Sequence, residues 1–187
     1  MKQFTNITAP RGLLFSNGNH EEYRNTPQIL EAMSHPVDDI VDISPTSVIQ
    51  KILHSTHTIA VLNNAKVEID GIVFAGVTYH DTETSAGLEK NLDTLHLDRS
   101  KPTILLKHKP TLHSTLEKYP IDLVVSGHTH SGQMWPFSLV TYFVYGKYVY
   151  GQVIQNGLTA ITTSGVGSWG PPQRVGTRSE IVVIEIA

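Results

Sequence analysis

No cysteine occurs among the 187 residues. Disulfides and thiolate metal sites are therefore excluded, and any metal must be held by His, Asn, Asp or Glu. The chain also lacks an excess of charge of either sign. Its net charge of −3 gives no basic footprint for nucleic acid, and no nucleic-acid partner is expected. Long hydrophobic runs are missing as well. Residues 1–10 hold no apolar segment of the signal-peptide kind. The most hydrophobic stretch, residues 134–150, is interrupted by Pro136, Gly146 and Lys147. It falls short of the roughly 20 apolar residues that a bilayer span requires. Neither a signal peptide nor a transmembrane helix is expected within these residues, and nothing here points to a compartment.

Histidine is what the chain has in unusual supply, with ten. The length suits one domain, residues 1–187, with no repeats or linkers. Short apolar runs at residues 12–16, 59–62, 66–69, 72–77, 103–106, 122–125 and 159–163 read as strands. Residues 180–186 read as one more. Asp70-Gly71 between two of these runs is a strong hairpin signal. Helical spacing predicts helices near residues 27–33, 44–53, 85–95 and 112–118. Strands alternate with helices in the middle, with hairpins toward either end. The expected product is an α/β fold, an αββα sandwich of two mixed β-sheets flanked by helices.

Three of the predicted strands end in loops that present metal-capable side chains. These are Gly18-Asn19-His20-Glu21, the lone His108, and Gly127-His128-Thr129-His130. Two imidazoles one residue apart, on a turn leaving a buried strand, cannot both point into a core. Strand ends are where α/β folds place their sites. His35, His54, His57, His96 and His113 sit in polar or helical contexts and read as structural or exposed.

These blocks resemble the calcineurin-like metallophosphoesterases, in particular a bacterial, often membrane-associated branch. The family pattern runs Asp-x-His, Gly-Asp, Gly-Asn-His-Glu/Asp, a lone His, and Gly-His-x-His. The resemblance continues through Ser131-Gly132-Gln133-Met134-Trp135-Pro136-Phe137 and residues 164–172, with Arg174, Gly176 and Glu180. It implies a metal-dependent phosphoester hydrolase, of phosphodiesterase or pyrophosphatase type, with two divalent ions (Mn, Fe or Zn). By position, Asn19, His108 and His128 are implied as ligands of one ion and His130 as a ligand of the other. His20 is implied as the non-ligating catalytic imidazole. Glu21, His80 and Asp81 are candidates for flanking or substrate roles.

The chain departs from the family at its start. The seventeen residues before Gly18 contain neither Asp-x-His nor Gly-Asp. The resemblance therefore implies an N-terminally incomplete domain, inactive or weakly active in isolation. One alternative is a non-catalytic remnant that binds at most one metal. Another is a site completed by a missing N-terminal fragment. Residues 134–150 carry seven of the fourteen aromatics. They read either as a loop and hairpin packed on the sandwich or as an apolar lip for a lipid-linked phosphoester or a membrane surface.

Overall fold

The computed structural model describes residues 9–23, 39–43 and 58–186. The helices expected near 27–33 and 44–53, and His35, His54 and His57, lie outside the described residues. Two sheets organise the chain. The smaller is parallel, built from β1 (Leu13–Phe15), β2 (Asp39–Ile43) and β3 (Thr58–Leu62) in the order β1-β3-β2. The larger is mixed. It contains β4 (Ala65–Ile69), β5 (Ile72–Gly76), β6 (Thr103–Leu106), β7 (Leu123–Ser126), β8 (Gly151–Gln155) and β9 (Leu158–Thr162) in the order β4-β5-β6-β7-β9-β8.

The larger sheet is parallel at its centre and closes with an antiparallel hairpin at each edge. Asp70-Gly71 makes one of those hairpins, with both residues at positive φ, as such a turn requires. Helices flank the sheets, giving the sandwich that the alternation of elements predicts. β2 escaped the sequence reading because Asp39 and Asp42 interrupt its apolar pattern. β8 escaped because it lies against the aromatic stretch with no clear boundary of its own.

Helix α2 (Ser85–Leu95) shows how pattern becomes packing. Leu88, Asn91, Leu92 and Leu95 are its buried residues, the i, i+3, i+4, i+7 stripe of a helix seated on a sheet. The Thr84 side chain accepts a hydrogen bond from the Gly87 amide, capping the start. Leu88 and Leu92 join Leu105 of β6, Val124 of β7 and Leu116 of α3 (His113–Leu116) in the main core. Each such leucine contributes about 1.5–3 kcal/mol by burial. A second cluster lies between the sheets, where Ala60 and Leu62 meet Ala65 and Val67, with Leu14, Phe74 and Leu106 against them.

Two expectations need correction. Residues 180–186 form no strand, and Ile181 and Val183 are each more than four-fifths exposed. Their apolar alternation suits a strand, but the residues find no ladder partner here. Residues 134–150 are not a loop and hairpin either. They contain helix α4 (Phe137–Tyr145), followed by a short 3-10 turn, Gly146–Val149. The β-branched and aromatic composition masked this helix. No described helix is long and apolar enough to cross a membrane.

His113 is structural, as its context suggests. It is buried and stacks on Tyr148, with ring centroids 3.6 Å apart and planes 8° from parallel. Burial, then the Lys107 charge, pushes its pKa from 6.5 down to about 4. The unfolded chain binds the extra proton first, so this contribution to stability is complete above pH 6.5. It is lost as the pH falls from 6.5 toward 4. Urea titrations at pH 7.5 and pH 5 should therefore show a smaller loss on acidification for His113→Phe than for the parent; equal losses would remove this assignment.

Candidate metal centre

β6 and β7 are adjacent and in parallel register, with Leu106 opposite Val125. Each is followed, two residues past its last position, by a histidine: His108 and His128. The Gly127 amide donates to the His108 carbonyl at 3.0 Å, continuing the pairing past both strands. Neighbouring strands lie about 4.8 Å apart, and the His108 and His128 ring centroids are 5.0 Å apart. The sheet sets this spacing.

β1 belongs to the other sheet, and α1 (Asn19–Tyr23) follows it after a three-residue turn. The Glu21 carboxylate accepts from the Gly18 amide at 2.9 Å, which caps the first turn. Asn19 thereby comes to His108, with Oδ1 3.1 Å from Nε2. Gly18 faces the His108 ring with no side chain in between.

The turn after β7 is conformationally unusual. His128, His130, Ser131, Gly132 and Gln133 all have positive φ, a region that residues with side chains seldom adopt. The surrounding structure holds it there. Gln133 is buried; its amide nitrogen donates to the carbonyls of Trp169 and Pro171, and its Oε1 accepts from the Trp169 amide. Arg174 reaches the same turn, donating to the His130 carbonyl at 3.1 Å and lying 3.2 Å from His130 Nδ1.

Asn19, His20, His108, His128 and His130 all line one cavity of about 590 Å3. Met134, Phe137, Val140, Thr141, Tyr145 and Trp169 supply much of its remaining wall. His80 and Asp81 are not among its lining residues. The His80 amide donates to Glu22, and Asp81 accepts from the Thr78 hydroxyl at 2.9 Å.

Burial first, then neighbouring imidazole and lysine charges, pushes the pKa of His108 and of His128 to about 4. For His130, burial and then Arg174 lower it. Neutral imidazoles offer lone pairs, which ligation requires. Asn19 with His108 and His128 therefore suits a divalent ion that accepts mixed oxygen and nitrogen donors. His108 and His130 each have a ring nitrogen already engaged, His108 Nε2 with Asn19 Oδ1 and His130 Nδ1 with Arg174. A guanidinium is a donor only, so His130 Nδ1 accepts from Arg174 and that ring's proton resides on Nε2. A ligated His130 would have to loosen that contact. Among the described residues, no group of three or more His, Asp or Glu is placed to hold an ion.

Several supporting residues carry no sequence motif. Glu22 accepts from two successive amides, Tyr79 at 2.5 Å and His80 at 2.8 Å, tying α1 to the loop after β5. Tyr79 stands 5.8 Å, centroid to centroid, from both His108 and His128. Lys107 is buried, and its ammonium donates to the Lys109 carbonyl and the Thr111 hydroxyl. Burial, then Lys109, lowers its pKa to about 7. A lysine between the end of an apolar strand and His108 was the available signal.

Comparison with known proteins gives one consistent answer. The family model for calcineurin-like phosphoesterases matches residues 3–132. An uncharacterized metallophosphoesterase of Helicobacter pylori is 32% identical over 185 residues, covering 97% of this chain and 44% of the relative. One from Campylobacter jejuni is 28% identical, with 100% and 45% covered. A Bos taurus transmembrane protein with a metallophosphoesterase domain is 30% identical, with 91% and 37% covered. The chain thus spans less than half the length of these relatives. No solved structure matches it.

Proposed function

Because the chain belongs to the calcineurin-like phosphoesterase family, we propose that it carries part of the active site of a metal-dependent phosphoester hydrolase. The observation that carries this reading is the convergence of Asn19, His20, His108, His128 and His130 on one cavity. In this reading Asn19, His108 and His128 hold one divalent ion, and His130 belongs to a second. Bound ions of this kind polarise a phosphoryl group and bring a water to hydroxide near neutral pH. His20 lies exposed at the cavity wall and protonates the leaving oxygen. Glu21 fixes the helix turn that presents His20, rather than touching substrate. His80 and Asp81 support the rim.

The carboxylates that a two-ion site needs come, in this proposal, from polypeptide outside these 187 residues. The domain described here is then the C-terminal portion of the whole. The absence of a three-carboxylate-or-histidine cluster among the described residues supports that view. It equally favours the alternative that the chain alone is a one-ion binder without turnover. The substrate is a phosphodiester or pyrophosphate, lipid-linked in the version that gives residues 134–150 a role. The bovine relative is named a transmembrane protein, which is in keeping with work at a membrane.

Titration calorimetry with Mn2+ and Zn2+ should give one ion per 187-residue chain, lost in His108→Ala and His128→Ala, with no hydrolysis of bis(p-nitrophenyl) phosphate. In a form extended by the upstream polypeptide, hydrolysis should appear, and His20→Ala should lower kcat about 100-fold at unchanged metal content. Turnover by the 187-residue chain would end the incomplete-site reading. An extended His20→Ala enzyme running at the parent rate would remove His20 from catalysis.

A further inference from the structure

Helix α4 is amphipathic in the wrong sense for a soluble protein. Its half-buried residues are Ser138, Thr141 and Tyr145, which share one stripe at i, i+3 and i+7. Its other six residues, Phe137, Leu139, Val140, Tyr142, Phe143 and Val144, are apolar or aromatic and all exposed, Phe143 by 84%. The helix thus turns the side chains of Ser138, Thr141 and Tyr145 inward and most of its hydrocarbon outward. Trp135 and Trp169, both about three-fifths exposed, flank it. They are the only tryptophans in the chain.

Along the sequence around α4, ionised side chains are few and of one sign. From residue 123 through residue 179 there is no Asp or Glu, in a chain that has 17 of them. The ionised side chains in that span are Lys147, Arg174 and Arg178, and Lys147 and Arg178 are exposed. A patch of outward hydrocarbon with flanking tryptophans, and an exposed lysine, Lys147, just past the helix end, fits the interface of an anionic bilayer. A second copy of the chain fits it poorly. A helix pair buries one stripe of each member, whereas here more than half of the circumference is apolar. The patch is also continuous with the site, since Phe137, Val140, Thr141 and Tyr145 line the same cavity as the histidines.

We propose that α4, with Trp135 and Trp169, is a docking helix that seats the protein on an anionic lipid surface and opens the histidine cavity toward the phosphoester of a lipid headgroup. The headgroup part rests on the hydrolase reading above; the docking part does not. Once seated, Phe143 and Val144 enter the acyl boundary while Thr141 and Tyr145 remain at the cavity wall.

Docking is read without any turnover. Flotation of the 187-residue chain with phosphatidylcholine–phosphatidylglycerol vesicles should carry protein to the lipid layer, with a blue shift of tryptophan emission. Pure phosphatidylcholine vesicles should bind less. A Phe143→Asp/Val144→Asp variant, altered at two exposed positions outside the cavity, should lose at least about tenfold in partitioning with an unchanged circular dichroism spectrum. Absence of flotation with either vesicle overturns the proposal. So does a blue shift that requires no lipid but tracks a concentration-dependent dimer, because a second copy would then cover the helix. Vesicle binding that survives the double Asp variant also overturns it. If flotation behaves as expected while Mn2+ binding is absent, docking stands and the hydrolase reading fails.

Discussion

Gly18→Val should strongly weaken the metal binding proposed above while leaving the fold of the chain in place. A β-carbon at residue 18 would sit 2.7 Å from His108 Cε1, 2.8 Å from His108 Nδ1 and 2.9 Å from a Glu21 carboxylate oxygen. Contacts this short force a shift. Glu21 can swing away at the loss of its bond to the Gly18 amide. The His108 ring has less room, because Asn19 holds its far nitrogen and Tyr79 and His128 stand against it. The ring must leave the cavity wall, and the Asn19–His108 pair goes with it. Calorimetry should show Mn2+ affinity weakened about 10–100-fold, the scale for disturbing a ligand's support. Thermal stability should change far less, because residue 18 lies outside both apolar clusters. Parent-like affinity would mean that residues 19 and 108 do not act together.

Gly76→Val should have the opposite profile: a broad loss of stability. Gly76 ends β5 and lies against Leu62, the last residue of β3 in the smaller sheet. A β-carbon there would meet Leu62 Cβ at 2.5 Å and its carbonyl oxygen closer still. Leu62 is fully buried and belongs to the cluster between the sheets, so its backbone cannot retreat without opening that layer. Overpacking of this kind costs about 3 kcal/mol or more when backbone is the obstacle. At this chain length that lowers Tm by roughly 6–12 °C. Differential scanning calorimetry reads it directly, and a Tm within 2 °C of the parent, roughly the shift of under 1 kcal/mol, would show that the sheets can part at residue 76.

The contrast between these two glycines shows what the sequence made legible. Gly18 stood inside a recognisable block, and its neighbours Asn19 and His20 could be named with their chemistry. Gly76 was one more small residue in an apolar run, and nothing local announced that another sheet passes over it. The same division runs through the molecule. α2 and the Asp70-Gly71 hairpin were readable because their signals are short-range. β2, β8 and helix α4 were not, since each depends on a neighbour distant in sequence or defies its own composition. The histidine blocks could be matched to strand ends, but their meeting on one cavity depends on the register of β6 against β7. Glu22, Lys107 and the Gln133 clamp act through backbone amides and carbonyls, which leave no pattern in side-chain identity.

The left-handed turn after β7 has a consequence of its own. With five of six consecutive φ angles positive between residues 128 and 133, the Gly-His-Thr-His segment has a shape that a free peptide almost never visits. A synthetic peptide of that sequence would present two imidazoles at no fixed separation. What the segment offers a ligand is therefore preorganisation, and that belongs to the clamps at Gln133 and Arg174 as much as to the histidines themselves.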